Sequence, residues 1–161
     1  MTSQATVIVD APADRVALPA IPGLTLDGTP VVLNAWASWC EPCRLEAPEL
    51  AAFAAAHPEI RMVGLNVNDE PGAAQAFAAA TGMDYEQITD ANGAILATIP
   101  GIPPAGLPST VVIDEQGRIA ARIIGPVNGQ LASAVEQALG KGAAGLRIGV
   151  LVDGFELDSC E

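Results

Sequence analysis

The sequence has few cysteines, few aromatic side chains and few basic residues, and each shortage excludes a class of protein. Its 161 residues include 3 cysteines, 1 histidine and 4% aromatic residues. Three cysteines cannot all pair within one chain, which excludes a small secreted scaffold held together by several disulfides. Seven Lys and Arg against 19 Asp and Glu give a net charge of −12. This charge repels nucleic acid and anionic lipid surfaces, so we expect neither as a partner.

Long hydrophobic runs are also missing. No apolar stretch reaches the roughly 18 to 20 residues that a membrane-spanning helix needs. The first residues, 1–5, have neither the basic region nor the apolar region of a signal peptide. Half of the residues are hydrophobic, however, which suits a single domain with a sizeable core.

Apolar runs alternate with helical stretches, and this alternation predicts an α/β domain. The run 31–37 has the length and composition of a buried strand, and 61–68 is nearly all apolar, as expected of a strand covered on both faces. A β-α-β order of this kind indicates parallel strands with right-handed crossovers. We place further strands at 85–89, 110–114 and 118–124, helices at 41–57, 71–81, 94–99 and from 129 to 139, and a proline-rich loop at 100–108.

We divide the chain into an N-terminal arm, 1–23, a main domain, 24–140, and a C-terminal tail, 141–161. The arm is expected to be loosely attached, because chain termini usually are. Within the main domain, 24–26 reads as a small strand, and the helix at 41–57 is expected to turn Leu45, Leu50 and Phe53 towards the sheet. The tail is expected to be mobile, although residues 146–152 could form one further strand. Cys160, in the tail, is expected to be a free thiol.

A C-x-x-C pair, Cys40 and Cys43, lies between the strand at 31–37 and the following helix. Such a pair serves redox exchange, forms half of a zinc site, or occurs by coincidence. A structural zinc site needs four ligands, and the other candidates, His57 and Cys160, do not have metal-ligand spacing. We therefore predict a redox pair, no metal, and no cofactor other than the Cys40–Cys43 disulfide.

The position at a helix start assigns a role to each residue of the pair. The first turn directs free backbone N–H groups and the positive end of the helix dipole at Cys40, which favours its thiolate. Cys40 is therefore predicted to be the exposed nucleophile and Cys43, a turn deeper, the resolving thiol. Pro42 fits the first turn, where its missing N–H costs nothing. Glu41 should disfavour the thiolate and make the couple more reducing, unless it is only a solvated helix residue.

The stretch 36–48, W-A-S-W-C-E-P-C-R-L-E-A-P, resembles the thioredoxin superfamily, and within it the TlpA/ResA-like thiol-disulfide oxidoreductases. Pro48 stands where that family has a helix proline, and 106–114 is similar to its cis-proline loop and following strand. The resemblance extends from about 24 to 139. It implies a thioredoxin-like fold, in which a central mixed β-sheet is flanked by helices on both faces and preceded by an N-terminal hairpin extension.

The same resemblance suggests further site residues. Thioredoxins have a buried aspartate where this chain has Asn34, and in the TlpA/ResA group an acidic residue on the neighbouring strand approaches the cysteines instead. Asp69 is the nearest match, with a raised pKa expected, and Glu70 is the fallback. Alternatively, Asp69 or Glu70 caps the N-terminus of the helix that Pro71 opens.

The substrate side of the site is predicted from the same family pattern. Pro108 would follow a cis peptide bond that leaves the backbone of Leu107 free to pair with an extended substrate, and a trans proline is the alternative. Trp39 would form a flat apolar lip around Cys40.

These features imply an extracytoplasmic, monomeric reductant of protein disulfides. By resemblance, its substrates would be the haem-binding cysteines of apocytochrome c or metallochaperone thiols, its reductant a membrane electron donor, and its membrane anchor upstream of this sequence. A disulfide-forming oxidant, a copper-handling thioredoxin-fold protein and a non-catalytic binding module remain the alternatives.

Overall fold

Strand β2, Val31–Trp36, lies at the centre of the fold, and all six of its residues are buried. The structure is a computed structural model that describes residues 6–140. The other strands are β1 Thr6–Val9, β3 Arg61–Val67, β4 Glu86–Asp90, β5 Ser109–Ile113 and β6 Ile119–Ile124, and the α-helices are α1 Glu41–Ala56, α2 Pro71–Thr81, α3 Ala94–Thr98 and α4 Leu131–Leu139.

The strands form one mixed sheet in the order β1-β6-β5-β2-β3-β4. Strands β2, β3 and β4 are parallel, as the β-α-β alternation predicts. Strands β5, β6 and β1 are antiparallel to their neighbours, and a short connection joins β5 to β6 as in a hairpin. The prediction of a thioredoxin-like α/β fold with a central mixed sheet is confirmed.

Apolar side chains cover both faces of this sheet. On one face, Leu50 and Phe53 of α1 and Leu131 and Val135 of α4 pack on Val32 of β2. The other face is covered by α3 and by the segment around 18–21. A third, smaller cluster joins the start of α1 to α2, and it contains both cysteines. The redox pair therefore belongs to the packed core between two helices rather than to a free loop.

The N-terminal region differs from the expectation. Residues 6–9 are not loosely attached: they pair antiparallel with β6 and form an edge of the sheet. Residues 24–26 form no strand, so the expected N-terminal hairpin is absent from the described chain. A strand four residues long is hard to recognise when its partner lies more than a hundred residues away. The suggested strand at 146–152 and Cys160 lie outside the described residues.

The phase of α1 also differs from the expectation. Leu45 is 72% exposed, whereas Glu46 is only 3% exposed. The buried positions of α1 are Cys43, Glu46, Ala47, Leu50 and Phe53, a helical spacing that leaves Leu45 on the outer side. The prediction that Leu45 faces the sheet is wrong, because its five-residue separation from Leu50 does not keep it on the same face. Within residues 6–140, no helix is both long and apolar enough to cross a membrane.

Candidate active site

The two cysteines occupy the junction between β2 and α1. Cys40 is the N-cap of α1, with an extended backbone, and its Sγ accepts a hydrogen bond from Cys43 N–H at 3.3 Å. Cys40 and Cys43 are joined by a disulfide, with their Cα atoms 5.3 Å apart. When the pair is reduced, the backbone N–H groups of the first turn of α1 and the helix dipole will stabilise a thiolate on Cys40. Pro42 lies in the first turn of α1, as its missing N–H allows.

Cys40 is more enclosed than the sequence suggested, whereas Cys43 is buried as expected. Cys40 is 6% exposed and Cys43 is 2% exposed, so the expected exposure of Cys40 is corrected while its position outside Cys43 stands. In the disulfide form Cys40 is packed with Cys43 against Trp36 and Phe77 of the α1–α2 cluster. A partner must therefore reach Cys40 through a small opening.

Trp39 precedes Cys40 in the chain and is 62% exposed. Its indole N–H donates to the backbone oxygen of Asn68 at 2.8 Å, which fixes the orientation of the exposed ring. The outward-facing Leu45 adds a second exposed apolar side chain on the first turns of α1. Glu41, next to Cys40 in the chain, and Arg44, next to Cys43, are also exposed.

Asp69, predicted as a proton-exchanging group, accepts several hydrogen bonds beside the loop that precedes Cys40. Its carboxylate accepts hydrogen bonds from Ser38 N–H at 2.6 Å, Ser38 Oγ at 2.7 Å and Asn66 Nδ2 at 3.0 Å. Burial pushes the pKa of Asp69 up, but the hydrogen bonds from Asn66, Ser38 and the Glu70 N–H outweigh it and hold this pKa below its usual value. Asp69 is an ionised anchor for the loop before Cys40. The expectation of a raised pKa was wrong because it ignored these donors.

The alternative for Asp69, as N-cap of α2, is also corrected. Glu70 occupies that position, and its side chain accepts a hydrogen bond from Ala73 N–H at 2.8 Å. Glu70 is exposed and is used in capping, so it does not replace Asp69 as an acid near the cysteines.

The acid that shares the buried side of α1 with the cysteines is Glu46, one helical turn after Cys43. Its carboxylate accepts from Asn34 Nδ2 at 2.8 Å and from Val127 N–H at 3.1 Å. Burial raises the pKa of Glu46 to about 7, the two hydrogen bonds oppose this shift, and repulsion from Glu49 adds to it. A carboxyl with this proton affinity can give and take a proton at neutral pH.

Glu46 is not among the site residues predicted from the sequence, but the sequence contains a signal for it. Counting back from Leu50 in steps of three to four residues reaches positions 46 and 47, and then Cys43. An acidic residue in phase with buried apolar positions is costly unless it is hydrogen-bonded or neutral, which makes it a candidate for proton exchange.

The proline loop lies against the same cluster. The peptide bond between Leu107 and Pro108 is cis. Leu107 packs against the group that contains both cysteines, and Pro108 is buried. The Leu107 N–H already donates to the carbonyl of Ala105 at 3.1 Å, so it is not free, contrary to the expectation. A substrate backbone would meet the Leu107 carbonyl or would have to displace that internal bond.

The part of the chain that the structure describes contains no group of three His, Cys, Asp or Glu side chains arranged to hold a metal ion.

Known proteins share this arrangement of sequence and fold. Residues 24–139 match the family model described as Redoxin. The thiol:disulfide interchange protein HelX of Rhodobacter capsulatus is 40% identical over 101 residues, which are 63% of this chain and 55% of HelX. The thiol:disulfide interchange protein CycY of Rhizobium leguminosarum bv. viciae is 33% identical over 81% of this chain and 72% of CycY. The chain thus spans only about half the length of HelX.

A solved structure agrees with these relatives. The secreted thiol-disulfide isomerase of Corynebacterium glutamicum superposes with a TM-score of 0.72 at 32% identity, and the match covers 84% of this chain and 91% of that one. The Redoxin match includes the cysteine pair, Glu46 and the cis-proline loop, the parts that surround the disulfide here. By this match and these relatives, the chain belongs to the Redoxin family of thioredoxin-fold proteins.

Proposed function

We propose that the chain is a thiol-disulfide oxidoreductase that reduces disulfides in other proteins. The observation that carries the proposal is the Cys40–Cys43 disulfide at the start of α1, with the carboxyl of Glu46 buried on the same side of the helix. A dithiol at a helix N-terminus with a group of near-neutral proton affinity beside it has the parts that disulfide exchange needs.

The reaction starts from the reduced pair. The Cys40 thiolate attacks one sulfur of the substrate disulfide and forms a mixed disulfide with it. The substrate S–S bond breaks, and the other substrate sulfur leaves as a thiolate that takes a proton from water. Cys43 then gives its proton to the Glu46 carboxylate and attacks Cys40 Sγ. This step breaks the mixed disulfide, forms the Cys40–Cys43 bond and releases the second substrate thiolate. Two electrons pass to the substrate, and the protein ends oxidised.

Glu41 supports the reducing direction. Its exposed carboxylate is adjacent in sequence to Cys40 and disfavours the thiolate by repulsion of like charges. A less stabilised thiolate makes the reduced form a stronger reductant. We expect a midpoint potential at or below about −200 mV, on the thioredoxin side of the strong oxidants. A value above about −180 mV, the potential of a disulfide isomerase, would favour the disulfide-forming alternative instead.

The relatives support a proposal for the substrate class and the cellular setting. HelX and CycY are thiol:disulfide interchange proteins, and the Corynebacterium protein is a secreted thiol-disulfide isomerase. We propose an extracytoplasmic monomer that receives electrons from a membrane donor, with an anchor upstream of this sequence. Its substrates would be apocytochrome c haem-binding cysteines or metallochaperone thiols. The exposed Trp39 and Leu45 would contact such protein substrates.

Trapping the mixed disulfide tests this proposal. The Cys43→Ser variant removes the resolving sulfur, so substrates should remain bonded to Cys40 and should be released by a reductant. The Cys40→Ser variant is the matched control, because it keeps Cys43 but lacks the attacking sulfur. If Cys43→Ser yields no adduct from an envelope extract, or if the intact reduced protein reduces insulin only at the background rate, the proposed activity is wrong.

A further inference from the structure

A buried amide connects the helix that bears the cysteines to the strand that follows the cis-proline loop. Asn34 lies in β2 and is fully buried. Its Nδ2 donates to Glu46 Oε2 at 2.8 Å and to Thr110 Oγ1 at 3.1 Å. Its Oδ1 is also buried, and no described residue hydrogen-bonds to it. One side chain therefore contacts both the buried carboxyl and the strand behind Pro108.

We propose that Asn34 is the positioning residue for proton exchange at this site: its amide N–H stabilises the ionised Glu46 carboxylate and so sets the pH at which Glu46 accepts the Cys43 proton. This inference rests on the proposed function for its link to Cys43, whereas the contact between Asn34 and Glu46 is a feature of the structure alone. In a thioredoxin the corresponding group would be an acid; here it is a donor to an acid on α1.

The groups around Glu46 explain why one amide has this influence. Burial and the neighbouring carboxylate of Glu49 favour the protonated form. Tyr85, which packs beside these residues, is a neutral neighbour, because burial and the negative charges of Glu46 and Asp84 raise its pKa. No ion pair to Glu46 is present among residues 6–140. The ionised form is therefore supported by hydrogen-bond donors rather than by a cation.

Only two donors reach the carboxylate in the described structure, and they are not equivalent. The Val127 N–H belongs to the backbone and is present whatever the side chain is. The other donor is the side chain of Asn34, which a substitution can remove. Hydrogen bonds to a charged group are worth about twice as much as those between neutral groups, so losing this one should change the proton affinity measurably.

The unpaired Oδ1 supports a role beyond packing. A buried acceptor without a partner costs free energy, and an apolar side chain of similar volume would avoid that cost. The amide should therefore make the folded protein less stable than an apolar side chain at this position would. Its Nδ2 contact with Glu46 is the interaction that an apolar side chain could not provide.

The direct test is a titration of Glu46 in the oxidised protein, followed by the ¹³C shift of its carboxyl carbon. In Asn34→Leu the midpoint should rise by about one pH unit, an approximately tenfold increase in proton affinity. Thr110→Val is the matched control, because it removes the other hydrogen bond of the same amide and leaves Glu46 its donor. Its midpoint should stay at the wild-type value. An unchanged midpoint in Asn34→Leu, or an equal rise in Thr110→Val, would overturn the proposal.

A second variant keeps the test decisive if Asn34→Leu does not fold. Asn34→Asp has nearly the same shape but places a second carboxyl against Glu46, so the pair should share one proton and titrate in two steps, one below and one above the wild-type midpoint. A single step at the wild-type midpoint would contradict the inference.

The pH profile of insulin reduction supplies the functional readout. The reduced wild type and Asn34→Leu should give profiles displaced by the same interval as the Glu46 midpoints, and Thr110→Val should match the wild type. If the midpoints shift and the profiles do not, Asn34 does not control proton exchange. If the wild type is inactive at every pH, the proposed function fails, while the carboxyl titration still decides whether Asn34 sets the proton affinity of Glu46.

Discussion

Replacing Glu46 with glutamine should remove a pH-dependent loss of stability from the oxidised protein. Burial raises the pKa of Glu46 from its ordinary value of 4.5 to about 7. Between these values the folded protein holds a proton that the unfolded chain has released, so the free energy of unfolding falls as the pH rises. The difference between the two pKa values corresponds to a loss of about 3 kcal/mol in the free energy of unfolding once the pH is above both of them.

The assay is urea unfolding of the oxidised wild type and Glu46→Gln from about pH 4.5 to about pH 8. The two proteins should be close in stability at the acid end, where both side chains are neutral. The variant should then become the more stable one, by up to about 3 kcal/mol at the alkaline end. Subtracting the two curves cancels the other titrating groups, which the variant shares.

Glu136→Gln is the matched control for this experiment, because it makes the same chemical change at an exposed position of α4. This variant measures the effect of a glutamate-to-glutamine exchange that removes no buried carboxyl. A difference between wild type and Glu46→Gln that stays constant with pH would refute the argument that burial governs this carboxyl.

Three further variants separate stability from substrate contact. Asp69→Asn should lower the free energy of unfolding at neutral pH by about 1 to 3 kcal/mol, because the charged acceptor of the active-site loop is lost. Since the folded-state pKa is depressed, this deficit should shrink as the pH falls through 3.8 and below in the same urea titrations. Gly64→Ala should displace the Gln87 side chain, whose amide lies where the new Cβ would be and accepts a hydrogen bond from a buried indole. The cost should be about 1 kcal/mol, with a change in tryptophan fluorescence. Leu45→Ser should leave stability within about 0.5 kcal/mol. It should lower kcat/KM for insulin by about five- to tenfold, while that for a small aromatic disulfide stays the same.

The central part of the fold could be predicted because its signals are local. Continuous apolar runs mark β2 and β3, and Pro71 and Gly82 mark the two ends of α2. Strand β1 could not be recognised in this way, because its structure depends on pairing with β6, which is distant in the chain. The four residues of β1 are all β-branched and favour a strand, but so short a run near a terminus does not show which strand it would pair with.

The site was predicted where chemistry depends on spacing and missed where it depends on packing. A C-x-x-C pair between a strand and a helix is visible in the sequence, so Cys40 and Cys43 were identified. The choice between Asp69 and Glu46 depends on which carboxyl has enough hydrogen-bond donors to outweigh its burial. Those donors come from Ser38 and Asn66 in one case and from Asn34 and a distant backbone amide in the other.

The ion pair at the outer edge of the sheet bears on where a free-standing domain can begin. Arg122 of β6 is 16% exposed in its side chain, and its Nη2 contacts Asp10 Oδ2 at 2.8 Å, just beyond β1. A truncated protein starting at residue 24, where the family match begins, would lose this carboxylate and the whole of β1. It would present an uncovered strand to other molecules and leave a guanidinium without its counterion, so self-association is its expected fate. The smallest domain that should remain free of self-association therefore includes β1.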